Sequence, residues 1–244
     1  MMKLDVLAFA AHPDDIELGA GGTLILLGRL GYKVGVVDMT RGEFGSRGDM
    51  DTRLRECAAA TRVMGLAVRE NLELPDGHLQ NDRATQLKIV QVIRKYRPEI
   101  VMTHYWDAPH PDHRATSQAV VDACYLAGLA RIPSDLPRWR PRSILYHQVP
   151  MYVTPSLIVD ISDVWEQKMQ AILAYRSQFV EDARDDQPPT ALSRPEFIAS
   201  VEARGRFYGS MIRAQFGEPF VIRGPLPVRD IAALFVGRQF RPVP

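Results

Sequence analysis

Lysine is scarce in this chain: five of its 30 basic residues are lysines (Lys3, Lys33, Lys88, Lys95 and Lys168), and the rest are arginines. With 29 acidic residues the formal net charge is +1, so no global field selects for nucleic acid or an anionic membrane surface. The arginine bias reads as genome composition rather than a general demand for anion binding. Cysteine is rarer still. Cys57 and Cys124 both lie in helix-like stretches among alanines and apolar residues, which fits small core fillers in a reducing compartment and not a disulfide or a thiolate metal pair. No run approaches the roughly 20 apolar residues that a bilayer span needs. The opening "MMKLDVLAFAAHPDD" runs from a short apolar stretch into acids and lacks the layout of a signal peptide. Together these absences predict a soluble, cytoplasmic protein with no nucleic-acid or membrane partner.

What is present is ordinary in bulk. The 244 residues, 46% hydrophobic and 24% charged, are enough for one domain with a substantial core. The first half alternates strand and helix. "LDVLAFA" (4–10), "YKVGVVDMT" (32–40), "RENLEL" (69–74) and "PEIVMTH" (98–104) read as strands. Between and after them, 22–31, 52–65, 83–96 and 113–128 read as helices, three of them stopped by glycine. Repeated βα units with short joints predict an α/β, Rossmann-like fold: a mostly parallel sheet with helices on both faces. Beyond residue 130 the pattern loosens into strands at "SILYHQV" and "SLIVDIS", a helix over 163–179, a charged proline-bearing loop over 181–195 that is expected to be mobile, and a last helix over 196–212. We expect a single domain over 1–244, with a Rossmann-like core (1–130) and a C-terminal cap (131–244).

In open α/β sheets, ligands bind beyond the carboxyl ends of the strands. Three loops belong to that edge: "AAHPDDIELGAGGT" (10–23), "TRGEFGSRGDMDTR" (40–53) and "HYWDAPHPDHR" (104–114). A strand that runs straight into one imidazole and two carboxylates either builds a site or wastes desolvation energy. His12, Asp15 and His113 make a set of two imidazoles and one carboxylate, which suits Zn²⁺ with a position open for water. Fe²⁺ fits the same ligands. Such an ion lowers the pKa of its water to about 7. Asp14, an adjacent carboxylate not spent on the metal, suits a general base. His110, three residues before a ligand, suits an oxyanion partner when protonated. Each motif has a plainer reading alone, since His-Pro-Asp-Asp and Pro-Asp-His can both cap helices. Their pairing after strands of one sheet favours the metal. Gly19, Gly21 and Gly22 do not complete G-x-G-x-x-G and no P-loop lysine follows, so they are expected to serve close helix packing. The missing motif also argues against a nucleotide-binding oxidoreductase.

"AHPDD" after the first strand, with "HPDH" after the fourth, resembles the LmbE-like (PIG-L) family of zinc-dependent N-acetylglucosamine deacetylases. "TRGEFGSRG", "LPDGHL", "AGLARI" and "VDIS…K…A…AYRSQF" are similar to the branch that deacetylates N-acetylglucosaminyl malate in bacillithiol biosynthesis. The likeness spans roughly residues 3 to 220. It implies His12, Asp15 and His113 as ligands of one Zn²⁺, Asp14 as general base, His110 as partner of the tetrahedral intermediate, and Arg53 and Arg140 as substrate-binding residues. It also implies a small-molecule amino-sugar substrate and a homo-oligomer, hexamers being found among relatives. Two positions depart from the pattern. Pro109 stands where that branch carries arginine, removing a positive charge beside the site. Phe197 stands where relatives offer a tyrosine hydroxyl. The alternative substrate is therefore another N-acyl amino sugar, such as a chitooligosaccharide or a natural-product glycoside.

Overall fold

Five parallel strands form the main sheet of the computed structural model, which describes residues 2–147, 152–180, 187–230 and 232. They are β1 (Val6–Ala10), β2 (Val34–Asp38), β3 (Val68–Asn71), β4 (Ile100–His104) and β5 (Ser143–His147), in the order β3-β2-β1-β4-β5. The chain builds outward from β1 through β2 to β3, then returns to place β4 on the other side of β1. That reversal opens a crevice between the ends of β1 and β4, where doubly wound sheets bind ligands.

Alternation along β1 divides the core in two. Val6, Ala8 and Ala10 face α1 (Asp15–Arg29), α2 (Met50–Met64) and α5 (Trp165–Leu173); Leu7 and Phe9 face α3 (Arg83–Tyr96) and α4 (Pro111–Ala127). Burial on both faces explains why the central strands β1 and β2 read as near-continuous apolar runs. Both thiols are unpaired, and burial pushes Cys57 and Cys124 up to about 12. They are inert fillers. Among the described residues no helix is long and apolar enough to cross a membrane.

Helix α1 begins seven residues before the predicted start at 22, so Gly19, Gly21 and Gly22 lie inside it. Each glycine costs a helix about 1 kcal/mol, and packing is what requires them. A Cβ on Gly19 would sit 2.3 Å from Nδ1 of His147, and one on Gly22 would sit 2.9 Å from Ile161. His147 ends β5, is fully buried and has no hydrogen-bond partner on either nitrogen among the described residues. Gly19→Ala must therefore displace an enclosed imidazole. We expect a stability loss of about 1–3 kcal/mol, typical of overpacking; an unchanged urea midpoint would show that the ring gives way freely.

The predicted helix over 163–179 is broken. A 3-10 turn (Ser162–Val164) leads into α5, which ends before Tyr175, and α6 (Arg176–Phe179) follows. Tyr175 leaves helical geometry (φ −85°, ψ 64°) because its buried ring carries the hydroxyl inward to Glu17, 3.0 Å away. Of the predicted 181–195 loop, 181–186 lie outside the described residues. Helix α7 (Pro195–Met211) matches expectation; β6 (Leu157–Asp160) pairs antiparallel with β7 (Gly217–Phe220), a strand the sequence did not announce. Ile161, Trp165, Tyr175, Phe179, Phe216 and Phe220 share one core with β1 and α1, so the C-terminal part is built onto the site-bearing elements.

Candidate metal centre

The turn after β1 is held from several directions. The His12 amide donates to Asp15 Oδ2 at 2.8 Å, and the Ala11 amide to Nε2 of His104 at 3.0 Å. Asp15 opens α1, where a carboxylate is favoured by the helix dipole. Its Oδ1 lies 3.1 Å from His113 Nε2 and its Oδ2 lies 3.3 Å from His12 Nδ1. One donor atom from each of His12, Asp15 and His113 falls within 4.8 Å of the others. Burial works against the Asp15 charge, yet His113 and His104 outweigh it and hold this carboxyl well below its usual range.

The far nitrogen of His12 provides the fit test. Nε2 points at Asp76 Oδ1 (3.0 Å) and Asp112 Oδ2 (3.5 Å), leaving Nδ1 turned toward Asp15. A metal-binding imidazole usually donates its second N–H to a carboxylate, fixing tautomer and ring plane. Burial opposes charge on His12, but hydrogen bonds to Asp112, Asp15 and Asp76 raise it well above the ordinary histidine value, so a proton competes with an ion for Nδ1. A second donor group, His12 with His110 and Asp112, also falls within 4.8 Å. There both Asp112 oxygens are engaged by the amides of Gly77 and Leu79. The first set fits a divalent ion; the second serves as its support.

Among the helix N-caps of the described residues, Asp14 is the one in left-handed backbone geometry. Its φ is 112°, a strained conformation for a non-glycine residue. Although it occupies the N-cap of α1, its carboxylate makes no capping hydrogen bond. The group is 7% exposed and lies 3.7 Å from the Arg53 guanidinium. Burial drives the Asp14 carboxyl up to about 8, with Arg53 pulling the other way. Arg53 is fixed in turn: Nη2 donates to the Pro13 carbonyl at 2.9 Å, and Gly42 (φ 69°) passes so close that a Cβ would lie 2.6 Å from that nitrogen.

His110 caps α4, and its Nδ1 accepts the Asp112 amide at 3.2 Å. That bond assigns the ring proton to Nε2. Burial and the neighbouring His113 and His12 lower the His110 pKa, so it faces the site as a neutral donor and need not be charged in order to donate. Behind the ligands, the His104 ring stacks on His113 at 4.0 Å; burial takes it down to about 4.

His12, Asp14, Asp15, His110 and His113 line one cavity of about 640 Å³ together with Arg53, Leu18, Phe44, Pro109, Leu192 and Phe197. His12, Asp14, Asp15, Arg53, His110 and His113, predicted from sequence, are therefore brought together. Arg140 is not. In the single chain it lies over the Tyr125 ring and donates to the Tyr125 carbonyl at 2.9 Å, near the C-terminal end of α4, whereas His113 is in the first turn. Within one chain it does not line this cavity. Asp76, His104 and His147 were missed. Asp76 sits in Pro-Asp-Gly, which reads as a turn, and the two histidines end strands as buried residues do. A larger cavity of about 720 Å³ on the other side of Arg53, against α2 and β3, contains no such metal-ligating set among the described residues.

Comparison with known proteins follows the same lines. Residues 7–124 match the family model described as PIG-L, GlcNAc-PI de-N-acetylase. Diacetylchitobiose deacetylase of Thermococcus kodakarensis is 36% identical over 191 residues, covering 72% of this chain and 71% of that protein. The 4-oxalmesaconate hydratase of Pseudomonas putida is 28% identical (70% and 73% covered). A probable N-acetyl-alpha-D-glucosaminyl L-malate deacetylase 2 of Bacillus cereus is 29% identical (72% and 84%). Among solved structures, the conserved protein TT1542 of Thermus thermophilus superposes with a TM-score of 0.83 at 38% identity, covering 93% of this chain and 97% of that one.

Proposed function

The chain belongs to the PIG-L (LmbE-like) family, and from that membership and the geometry above we propose that it is a metal-dependent N-deacetylase of an N-acetylglucosamine conjugate. The observation that carries this reading is the pairing of a three-donor set with Asp14, a strained, buried carboxylate that neither the helix nor the donor set uses. A divalent ion on His12, Asp15 and His113, Zn²⁺ in our reading, supplies Lewis acidity and an acidified water.

The chain's own groups do the rest. Asp14 takes a proton from the water whose oxygen adds to the acetamide carbon. His110 donates its Nε2 proton in a hydrogen bond to the carbonyl oxygen as negative charge develops there. Asp14 then returns its proton to the sugar nitrogen as the C–N bond breaks, leaving acetate and a free amine. Arg53 favours the ionised form of Asp14 and presents its guanidinium to the substrate. Phe197, on the cavity wall, has no hydroxyl to add, so His110 is the side chain that answers the oxyanion.

Two aglycones have support. The motifs shared with the bacillithiol branch favour N-acetylglucosaminyl malate. The 36% identical relative and Pro109, which provides no cation for a malate carboxylate, favour a second sugar. The test is acetate release from N-acetylglucosaminyl malate, N,N'-diacetylchitobiose and free N-acetylglucosamine, with metal content measured on the same sample. We expect release from a conjugate, its loss on chelation and its return with Zn²⁺. Because one relative is a hydratase and a fold does not dictate its chemistry, hydration of an unsaturated oxo acid without any acetate release would overturn the proposal.

A further inference from the structure

Phe44 is 68% exposed, yet its position is fixed from below. Its amide donates to Asp76 Oδ2 at 2.9 Å, and the Asp76 amide donates back to the neighbouring Glu43 at 2.9 Å. The ring stands edge-on to His78, with centroids 5.8 Å apart and planes at 76°. Gly77 (φ 71°) lets it lie there, because a Cβ at that position would be 3.0 Å from the ring. An apolar side chain alone on a surface needs no explanation. This one lines the cavity that holds the metal donors, and its anchor Asp76 also orients His12.

We infer that Phe44 is the platform for a second pyranose ring, the aglycone of the acetylated sugar, and so a specificity-determining residue. The argument rests on the deacetylase reading and chooses between its two aglycones. Pyranose rings present a face of C–H groups that packs on an aromatic ring, whereas malate offers mainly carboxylates. The wall around Phe44 suits the former: Pro109, Pro111, Leu192 and Phe197 line the same cavity. Its volume of about 640 Å³ lies within the range of about 300–1,000 Å³ usual for small-molecule sites, with room for a ring beyond the one at the metal. Because Asp76 and Gly77 hold the aromatic before substrate arrives, little ordering remains to oppose binding.

The experiment compares wild type, Phe44→Ala and Phe44→Trp on N,N'-diacetylchitobiose and on free N-acetylglucosamine. Phe44→Ala is expected to lower kcat/KM for the disaccharide about tenfold, chiefly through KM, and to change the monosaccharide value less than about twofold. Phe44→Trp should keep the disaccharide value. Equal losses on both substrates, or none on either, would overturn the inference. So would a changed elution volume in Phe44→Ala, which would assign the ring to a subunit contact. If wild type releases no acetate from these sugars or from N-acetylglucosaminyl malate, the deacetylase reading fails by itself, and calorimetry with the disaccharide still decides the platform: it must bind wild type and Phe44→Trp more tightly than Phe44→Ala.

Discussion

Asp14→Asn is expected to reduce acetate release by about 10²–10⁴-fold, the usual contribution of a positioned general base, while metal content per chain stays at the wild-type level. The two outcomes separate because the adjacent carboxylates have separate duties. Asp15 faces both imidazoles and accepts the His12 amide. Asp14 makes no capping bond and approaches Arg53 at 3.7 Å. Asparagine matches the shape of aspartate and cannot accept the proton. Asp14→Gly guards against a folding artefact, since glycine adopts φ 112° without strain; it should be at least as stable as wild type and equally inactive. Turnover by either variant at the wild-type rate would remove Asp14 from the chemistry. Loss of metal in Asp14→Asn would instead move Asp14 into the donor set.

How much of this was legible beforehand depends on whether the information is local. The parallel sheet was legible because its central strands are buried on both faces, and the donor set because its members follow strands at one sheet edge. The α1 start was misread because propensity counts three glycines against a helix, and only His147 and Ile161, far along the chain, show why glycine is required. The break at Tyr175 is equally non-local, its cause being Glu17. Strand β7 was invisible for a related reason. Gly-Glu-Pro-Phe has no alternating apolar pattern, and its buried Glu218 makes sense only beside Lys168. Asp76 carries no local signal of its role, since a carboxylate in a turn looks the same whether it faces water or a histidine. Arg140 is a different case: its role comes from a likeness, and in the single chain the side chain lies over Tyr125.

Glu218 supplies the largest stability effect we expect. Its Oε1 accepts from Lys168 Nζ at 2.5 Å and from the Gly22 amide at 2.8 Å; its Oε2 accepts from the Thr23 amide and hydroxyl, each at 2.6 Å. Lys168 also donates to the Leu18 carbonyl at 3.0 Å. Both charged side chains are almost fully buried. The pair thus grips α1 one to two turns beyond Asp15, tying the helix that carries Asp15 to α5 and β7. Removing one member of a buried ion pair typically costs about 3–5 kcal/mol, because the other charge is stranded. The two members are not equivalent here. Lys168→Met leaves Glu218 with three donors from α1, which compensate part of its charge. Glu218→Ala strands the ammonium together with the Gly22 and Thr23 donors, each unsatisfied donor adding about 1–3 kcal/mol, so it should be the more damaging change. The double variant removes the stranded charge but still orphans α1, so its loss should be smaller than the sum of the single losses. Denaturant unfolding of the three proteins checks the order. Equal losses from the single variants would mean that the contacts to α1 contribute nothing, and additive losses would mean that the two charges do not stabilise one another.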